Sequence, residues 1–322
     1  MSSHSTENNL PSKSGFTFSG VIVSATRRTV TAIATDTNLL QNEINLALPN
    51  KWEPLVVGDK VEILQDGLSS DYYKLTKHLK RTNVLRRAYE GRTKLIGANL
   101  DHIYLIMAPP PLWNNLFIDR ALVAAANEGI QVTLICNKGD IEPEETINSL
   151  FQPYLTIAHS CLITTALDQD GLISLKIQLD SQSNQIVLLC GPSGVGKSTI
   201  INCLIPNVNQ ITQSVSKKTG QGRQTTTQSK AHRYTTSSGA NLLILDSPGL
   251  QHFGLSHLSL TDMMKGFPEF SAKSLECRFI DCMHLGEDNC GVMNAVKHGE
   301  ISQLRYNSYC HIISEIKQNR KL

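Results

Sequence analysis

Long apolar runs and a strong charge of one sign are both absent from this sequence. No stretch of its 322 residues approaches the roughly 20 apolar residues that a membrane-spanning helix needs, so a membrane protein is not expected. The net charge of +2 is too small to indicate nucleic-acid binding by itself, and any basic surface must be local. The Ser- and Asn-rich start lacks the apolar core of a secretory signal, which favours a disordered tail over residues 1–15.

The cysteines are unevenly distributed along the chain. Of the eight cysteines, Cys277, Cys282 and Cys290 cluster around His284, whereas four others stand singly in apolar surroundings. These four are Cys136, Cys161, Cys190 and Cys203. Clustered cysteines with an interleaved histidine are typical of a metal site, and scattered ones are typical of reduced thiols. Both patterns favour a cytoplasmic protein.

The length and spacing of the apolar runs change twice along the chain and predict three structural regions. A chain of this length can accommodate them. From Gly20 to about Leu85, short β-branched runs separated by Gly, Asp and Asn favour a small barrel. After Gly97, apolar runs alternate with helix-like segments and predict an α/β sheet. These runs are His102 to Met107, Val132 to Cys136, Leu162 to Thr165, Ile186 to Cys190 and Leu242 to Leu245. From Leu258 onward we expect a separate, mainly α unit, with helices over Leu260 to Phe267, Val292 to His298 and Ile301 to Lys317.

A phosphate-binding loop is predicted between one of these strands and the following helix. The stretch Gly191 to Ser198 matches G-x-x-x-x-G-K-[ST] in the strand-to-helix context that this pattern requires, and this context disfavours a chance glycine-rich turn. Backbone N–H groups approach the phosphates, Lys197 neutralises β/γ charge, and the Ser198 hydroxyl reaches Mg²⁺. The expected nucleotide-binding residues here are Gly191, Pro192, Ser193, Gly194, Val195, Gly196, Lys197, Ser198 and Thr199.

Two further segments are candidates for sensing the γ-phosphate. Asp246-Ser247-Pro248-Gly249 follows an apolar strand, where the Asp246 carboxylate can hold the Mg²⁺ shell and the Gly249 amide can meet the γ-phosphate. The polar segment from Lys217 to Thr227 has no apolar period and predicts a mobile loop, in which a threonine hydroxyl binds Mg²⁺ only while the γ-phosphate is present. Its candidate residues are Gln224, Thr225 and Thr226, and an ordinary solvated loop is the alternative.

The phosphate-binding motifs alone do not distinguish a GTPase from an ATPase, because both classes share them. A separate motif predicts that the base is guanine. In Asn137-Lys138-Gly139-Asp140, the Asp140 carboxylate can accept from both N1–H and the exocyclic amine of guanine, donors that adenine lacks in that arrangement. Asn137 would bridge neighbouring loops and the base, and the Lys138 stem would cover the base face. The tetrapeptide directly follows a predicted strand, which disfavours a chance turn. Thr165-Ala166 fits the loop in which the backbone N–H of the alanine donates to the guanine carbonyl.

Read in chain order, the motifs stand in the reverse of the usual GTPase order, with the guanine motif ahead of the phosphate loop. The order guanine motif, Thr-Ala, phosphate loop, Gly-Arg-Gln-Thr-Thr-Thr and Asp-Ser-Pro-Gly resembles the circularly permuted GTPases. With a barrel before it and a Cys/His motif after it, the chain closely resembles the ribosome small-subunit-dependent GTPase A family over roughly Phe16 to Tyr309.

The resemblance implies a multidomain α/β protein that acts late in maturation of the small ribosomal subunit. It predicts an OB-fold RNA-binding domain over residues 16–88, a circularly permuted P-loop GTPase domain over 89–256 and a zinc-binding helical domain over 257–322. One departure concerns the water that attacks GTP. The family often has a His in the switch loop where this chain has Gln224, and Leu250 stands where Ras-like enzymes have a water-orienting Gln. We therefore expect slow intrinsic turnover that a partner stimulates.

The cysteine cluster predicts a structural zinc ion. Cys277, Cys282, His284 and Cys290 supply three thiolates and an imidazole, which close a tetrahedral shell without an open position for substrate. Their spacing, Cys-x4-Cys-x-His-x5-Cys, matches the family motif. The alternatives are unrelated free thiols and a catalytic zinc site, and Cys310 lies outside the motif.

A local basic run follows Tyr72-Tyr73. Between residues 74 and 94, eight basic residues stand against Glu90 alone, enough to neutralise several phosphates while the tyrosines stack on unpaired bases. The eight are Lys74, Lys77, Lys80, Arg81, Arg86, Arg87, Arg92 and Lys94. The alternative is a solvated charged linker between domains, and the family resemblance favours contact with ribosomal RNA.

Together, the motifs and the resemblance predict a GTP hydrolase that uses GTP, Mg²⁺ and one structural zinc ion. Its expected partners are the small (30S) ribosomal subunit and its 16S rRNA, with no membrane partner, and the chain is expected to be a monomer. Two alternatives stay open: an RNA-binding assembly scaffold in which hydrolysis is incidental, and a permuted GTPase acting on the large subunit. The pairing of a barrel with a zinc motif disfavours the second.

Overall fold

The computed structural model describes residues 16–26, 29–35, 43–48, 52–65, 72–89, 92–168, 170–205, 208, 229–247 and 253–319. The tail, the switch-loop candidates Gln224, Thr225 and Thr226, and the candidates Gly249 and Leu250 lie outside these residues. Among the described residues, no helix combines the length and the apolar character that a membrane crossing requires.

The N-terminal strands close into a five-stranded barrel, as the short β-branched runs predict. The strands are β1 (Phe16–Ala25), β2 (Val30–Ala34), β3 (Ile44–Ala47), β4 (Lys60–Gln65) and β5 (Tyr73–His78). Their order is β1-β2-β3-β5-β4, and β4 pairs back with β1, which closes the barrel. Alternate residues face a core that includes Ile22, Ile63 and Leu75, all fully buried.

A basic hairpin follows the barrel, at a place where the sequence predicts no strands. It consists of β6 (Val84–Tyr89) and β7 (Arg92–Ala98), which pair antiparallel as a separate two-stranded sheet. The expected boundary between the first two domains, at residues 88 and 89, falls inside β6. The backbone N–H of Ala88 donates to the Gly254 carbonyl at 2.9 Å, so the hairpin also contacts the segment that follows Asp246-Ser247-Pro248-Gly249.

The central α/β sheet carries the predicted nucleotide motifs at one edge. Its elements in chain order are β8 (His102–Met107), α1 (Asn115–Glu128), β9 (Gln131–Asn137), α2 (Glu144–Phe151), β10 (Ser160–Thr164), α3 (Ile173–Asp180), β11 (Ile186–Cys190), α4 (Lys197–Leu204), β12 (Lys230–Thr235) and β13 (Asn241–Asp246). The strand order is β10-β9-β8-β11-β13-β12, parallel except for β12. The carboxyl ends of the parallel strands therefore meet, where α/β sheets bind ligands.

The barrel and the central sheet are joined by one strand pair. Ser24 of β1 pairs antiparallel with Lys230 of β12, and this pairing makes a continuous eleven-stranded sheet. The Lys230 ammonium also lies 3.1 Å from the Glu43 carboxylate of the barrel. The barrel thus contacts the start of β12, the strand that follows the switch-loop candidates in the chain.

Four helices follow in the described residues 253–319: α5 (Leu260–Met264), α6 (Pro268–Ser274), α7 (Gly291–Lys297) and α8 (Gln303–Asn319). The single helix predicted over Leu260 to Phe267 ends early, because Pro268 disfavours helical geometry at the preceding residue and instead begins α6. A Cβ on Gly266 would lie 2.7 Å from the Val123 Cα, so this turn packs directly on the α1 backbone. The sequence does not predict α6.

The C-terminal helices form the mainly α region that the sequence pattern predicts, and they share a buried core with the central sheet. Helix α1 is buried on several sides, so one face covers the sheet and another packs against α8. As a result, apolar side chains of the sheet, of α1 and of α6 to α8 form one buried cluster, which includes Leu105, Phe117, Phe270 and Ile312. Two domains with separate cores would need a polar boundary here.

A buried arginine joins these helices. The fully buried Arg305 of α8 donates to Asp119 of α1 at 2.5 Å, to Glu269 of α6 at 2.8 Å and to the Gly266 carbonyl at 2.7 Å. Its guanidinium also lies over the Phe267 ring, 4.3 Å from the centroid. These three acceptors compensate the burial of the guanidinium, so the cluster fixes the C-terminal helices to α1.

Candidate functional site

The loop that follows β11 has the backbone shape of a phosphate cradle. Gly191, Gly194 and Gly196 all have positive φ, and a Cβ on Gly191 would lie 2.0 Å from the Ile106 carbonyl oxygen. Only glycine fits such a close approach. The loop ends at Gly196, where α4 begins and presents its free backbone N–H groups. This geometry suits an oxyanion such as phosphate.

Lys197 lies over this loop. Its ammonium donates to the carbonyl oxygens of Gly191 at 2.8 Å and Pro192 at 2.7 Å. Burial lowers the pKa of the Lys197 ammonium, and the Asp246 carboxylate opposes that shift. A phosphate group in the loop would give this partly desolvated cation a stronger acceptor than two neutral carbonyls.

Two oxygen ligands suitable for Mg²⁺ stand at this edge. Asp246 ends β13 and pairs with Leu189 of the neighbouring parallel strand, and its side chain is buried. Ser198 lies in the first turn of α4. Magnesium prefers carboxylate and hydroxyl oxygens together with water and phosphate, so these two side chains fit that ion. Thr199 follows Ser198 in the same turn and is half-buried.

Asn137 connects the guanine motif to both neighbouring loops. Its side chain is buried, and its amide nitrogen donates to the Val195 carbonyl of the phosphate loop at 2.8 Å. Its amide oxygen accepts from the Thr164 hydroxyl at 3.1 Å and from the Ala166 N–H at 3.2 Å. A Cβ on Gly196 would lie 2.3 Å from this amide nitrogen. One side chain therefore sets the spacing between the phosphate loop and the Thr165-Ala166 loop.

The remaining residues predicted to bind the guanine base lie beside a cavity at this edge of the sheet. Lys138 adopts a left-handed conformation with φ 62°, and Asp140 follows in a short 3-10 turn with its side chain exposed. The Thr165 N–H donates to the Gly171 carbonyl at 3.0 Å, which closes the second loop. A cavity of about 300 Å³ is lined by Gly139, Asp140, Glu144, Ile147, Ile163 and Thr165. The Asp140 carboxylate is thus open to N–H donors of a ligand.

A buried polar network supports these loops from within the sheet, and the sequence motifs do not predict it. His102 of β8 contacts the Thr133 hydroxyl at 2.8 Å and the Gln182 amide nitrogen at 3.2 Å. Because that nitrogen can only donate, the proton of His102 lies on Nε2, which donates to Thr133. The Gln178 amide of α3 reaches Ser160 of β10 at 2.9 Å. The network fixes α3, the helix after the Thr165-Ala166 loop, against three strands.

The signal that could have revealed this network is a polar residue inside an apolar strand. His102 begins the run His102 to Met107 and is 1% exposed. Burial, with a contribution from the neighbouring His159, lowers the pKa of His102 to about 4. The imidazole is therefore neutral in the folded protein at physiological pH.

We expect this histidine to make the fold acid-sensitive. Below about pH 6.5 the unfolded chain binds a proton at His102 while the folded chain does not until about pH 4. Stability is therefore lost as pH falls through that window, by on the order of 2–3 kcal/mol. The measurement is the free energy of unfolding in urea at pH 7, 6, 5 and 4, for wild type and His102→Gln. The variant should have a lower free energy of unfolding at pH 7, and this free energy should change less between pH 6 and 4 than in the wild type. The same change with pH in both proteins would contradict the assignment.

The Cys/His cluster forms a compact site beside α7. The ligand atoms of Cys277, Cys282, His284 and Cys290 all lie within 4.8 Å of one another. The Nδ1 atom of His284 lies 3.6 Å from the Cys277 sulfur and 3.3 Å from the Cys290 sulfur, which are 3.9 Å apart. A tetrahedral Zn²⁺ with ordinary bond lengths separates its ligands by about 3.5–3.8 Å. The residues present fit zinc.

Backbone donors complete this site. The Gly291 N–H lies 3.3 Å from the Cys277 sulfur, and the Met293 N–H lies 3.5 Å from the Cys290 sulfur at the start of α7. Such donors stabilise thiolates, the form that binds metal. From α8, the Tyr306 hydroxyl donates to the His284 carbonyl at 2.7 Å. The cluster is therefore connected to the helix that packs on α1.

Loss of the metal should weaken the central domain as well as the C-terminal helices. Cys290→Ala removes one ligand, and because α6 to α8 share a core with α1, we expect a stability loss of several kcal/mol. Cys310→Ser, a thiol of α8 outside the cluster, is the matched control. Bound zinc by mass spectrometry and the thermal midpoint check this. Unchanged zinc content and midpoint in Cys290→Ala would contradict a structural metal site.

The basic run lies on strands rather than in a linker. Lys74 and Lys77 belong to β5, Arg86 and Arg87 to β6, and Arg92 and Lys94 to β7, with Lys80 and Arg81 between β5 and β6. Three of these eight cations have carboxylate partners: Arg81 with buried Asp59 at 2.6 Å, Arg86 with Glu128 at 3.1 Å and Lys77 with Glu62 at 3.2 Å. The phosphate contacts stay a prediction, and its main candidates are the exposed residues Lys74, Lys80, Arg92 and Lys94.

The two tyrosines ahead of this run differ in exposure. Tyr72 is 49% exposed and can offer a ring face, whereas Tyr73 is 7% exposed and packs in the barrel core beside Phe18. The prediction that both rings stack on bases is wrong for Tyr73. Alternation along β5 accounts for this, since neighbouring residues of a strand face opposite sides.

Comparisons with known proteins agree with this arrangement. The sequence model of the RsgA GTPase family matches residues 78–256. The chain is 37% identical over 269 residues to the small ribosomal subunit biogenesis GTPase RsgA of Pseudomonas syringae pv. syringae, covering 82% of this chain and 76% of that protein. The protein of the same name from Ralstonia pickettii is 31% identical over 271 residues, covering 84% and 85%.

Two solved structures share the fold. The crystal structure of YjeQ from Thermotoga maritima has a TM-score of 0.71 and 26% identity, covering 94% of this chain and 99% of that one. The structure of YloQ, described as a circularly permuted GTPase, has a TM-score of 0.68 and 23% identity, covering 98% of each chain. The barrel, the central sheet and the C-terminal helices all fall within these matches.

Proposed function

The chain belongs to the RsgA GTPase family, and we propose that it hydrolyses GTP as a late assembly factor of the small ribosomal subunit. In this proposal the state of the bound nucleotide times binding to and release from the subunit. The observation that carries it is the side chain of Asn137. This residue of the guanine motif bonds to the phosphate loop and to the Ala166 amide, although the motif precedes that loop in the chain. Base-binding and phosphate-binding elements thus meet in one site.

Each motif residue has a distinct task in this site. The N–H groups of the loop from Gly191 to Gly196 hold the phosphates, and the Lys197 ammonium balances β/γ charge. Asp140 selects guanine by accepting two N–H bonds, and Lys138 covers the base. Ser198 and Asp246 hold Mg²⁺, which when bound neutralises charge on the β- and γ-phosphates. For Gln224, Thr225, Thr226 and Gly249 we propose contacts on the γ-phosphate side.

Structural zinc is the second proposed cofactor. Cys277, Cys282, His284 and Cys290 would use all four positions of a tetrahedral shell, so no position is open for substrate. The ion would hold the loop between α6 and α7 in shape. One ion per chain is expected.

The proposed partner is the 30S subunit, contacted in part through 16S rRNA. Lys74, Lys80, Arg92 and Lys94 lie on β5, on β7 and between β5 and β6, and none of them forms an ion pair with a carboxylate of the described residues. The exposed Tyr72 directly precedes β5. Such a surface suits phosphates and unpaired bases. The proposed protein is a monomer, and its role in assembly of the ribosomal subunit would place it in the cytoplasm.

An RNA-binding scaffold in which hydrolysis is incidental predicts a different outcome for release. Asp246→Asn keeps the shape of the side chain but removes the negative charge that would hold Mg²⁺. We expect the variant to bind small subunits with GTP and then stay bound, while the wild type dissociates as GTP is consumed. Normal release of the variant, with turnover abolished, would favour the scaffold. The measurement is co-sedimentation with purified subunits over time.

A further inference from the structure

The zinc loop, residues 275–289, exposes an unusual amount of apolar surface. Four of the thirteen exposed large apolar side chains among the described residues fall in this loop: Leu275, Phe279, Ile280 and Leu285. Ile280 is 108% exposed and Leu275 is 88% exposed, so the rest of the described chain does not cover them. Single exposed apolar residues are ordinary, but a concentration of them in one segment marks an interaction site.

Backbone hydrogen bonds and the Cys/His cluster hold the exposed residues in place. Phe279 and Ile280 are the middle residues of Cys-x4-Cys, between the ligand atoms of Cys277 and Cys282. The Arg278 N–H donates to the Asn289 carbonyl at 3.1 Å, and the Cys282 N–H donates to the Phe279 carbonyl at 3.2 Å. A loop fixed in this way loses little conformational entropy when it binds, which favours its use as an anchor.

Hydrogen bonds to a carboxylate hold the other half of the loop. The Glu287 carboxylate accepts from the Met283 N–H at 2.9 Å and from the Leu285 N–H at 2.7 Å. The Arg278 guanidinium lies over the Phe279 ring, 5.2 Å from its centroid. Internal contacts therefore hold the loop while the Phe279 and Ile280 side chains stay exposed to solvent.

The charge of the loop decides the class of partner. Residues 275–289 contain four carboxylates, Glu276, Asp281, Glu287 and Asp288, against one cation, Arg278. Asp281 and Asp288 are exposed. RNA phosphates would be repelled by these groups, whereas a basic protein with an apolar recess complements both the charge and the apolar tip.

We propose that the zinc loop docks on a basic protein of the small ribosomal subunit, with Phe279 and Ile280 inserted into an apolar recess of that protein. The inference rests on the proposed function, since it names a partner within the same subunit. It also divides the work between two surfaces: the basic residues of the N-terminal region contact RNA, and the zinc loop contacts protein.

The first experiment asks what the tip touches. A photo-crosslinker is placed in the full chain as Ile280→p-benzoylphenylalanine, and the protein is bound to purified small subunits with a non-hydrolysable GTP analogue. The expected product is a crosslink to a ribosomal protein. A crosslink to rRNA, or no crosslink while co-sedimentation shows that the chain is bound, would overturn the proposal.

The second experiment measures how much the side chains at the tip contribute to affinity for the small subunit. Phe279→Ser with Ile280→Ser should weaken binding to the subunit by roughly 10-fold or more, as expected for a buried apolar anchor. Ile177→Ser, at a residue of α3 that is 66% exposed, is the matched control and should bind like wild type. Zinc content and thermal midpoint establish that the variants fold. Equal affinity of the double variant and wild type would overturn the proposal.

A charge reversal separates protein from RNA. Asp281→Lys should weaken binding if the loop faces a basic protein, and tighter binding would show that it faces phosphates. Binding of the wild-type chain to the subunit is the reference in every case. If the wild type does not bind, the proposed function and this inference both fail; if it binds and the loop variants bind equally well, only this inference fails.

Discussion

Asp140→Asn is expected to shift the nucleotide preference from guanine to xanthine by a factor on the order of 10³ or more. In the proposed site, the Asp140 carboxylate accepts from N1–H and the exocyclic amine of guanine. Xanthine carries an oxygen in place of that amine, so an Asn amide can donate to it, while guanine would leave two donors facing each other. The side chain is exposed at the mouth of the site, so the substitution should not disturb the fold.

Dissociation constants for GTP and XTP, measured for wild type and variant, check this expectation. Glu145→Gln, an exposed carboxylate of α2, is a suitable control because it neutralises a charge close to the motif in sequence. An unchanged ratio of the two dissociation constants in Asp140→Asn would place the base elsewhere.

Lys197→Ala should reduce kcat/KM for GTP by roughly 10²–10³ or more, the usual loss when a preorganised donor to transition-state charge is removed. The ammonium is partly desolvated over the phosphate loop, so its interaction with phosphate is screened less than at a surface. Lys176→Ala, at a half-buried lysine of α3, is the control. Retention of more than a tenth of wild-type kcat/KM would contradict the role assigned to Lys197.

The parts of the site that are local in sequence could be predicted, because their chemistry requires a fixed spacing. The phosphate loop needs a strand, a glycine-rich turn and a helix in immediate succession, and the strands His102–Met107 and Ile186–Cys190 are as predicted. The zinc spacing likewise brings four ligand atoms together over a short segment. The barrel follows from short alternating runs.

Features that depend on tertiary contacts could not be predicted in this way. In the hairpin of β6 and β7, the adjacent charged residues Arg86 and Arg87 interrupt the alternation of apolar and polar residues by which a strand is predicted. The C-terminal helices pair with α1 through Arg305, a residue that sequence alone would place on a helix surface. The bridging bonds of Asn137 join positions that are 58 and 29 residues apart.

The reversed motif order has a structural consequence beyond the nucleotide site. After Asp246-Ser247-Pro248-Gly249 the chain reaches Phe253 and Leu255, which are buried in the cluster shared by α1 and the C-terminal helices. Phe253 contacts Phe117 of α1 with ring centroids 5.4 Å apart. Because the same cluster includes α6 to α8, any displacement of the zinc region relative to the sheet has to involve α1.

The rate of GTP hydrolysis with and without purified small ribosomal subunits shows whether the subunit activates this GTPase. Because the sequence has Gln224 and Leu250 at the two positions expected to orient water, we expect the free chain to turn over slowly. We predict that small subunits raise the rate many-fold and that large subunits leave it unchanged. Equal rates with and without small subunits would contradict the account.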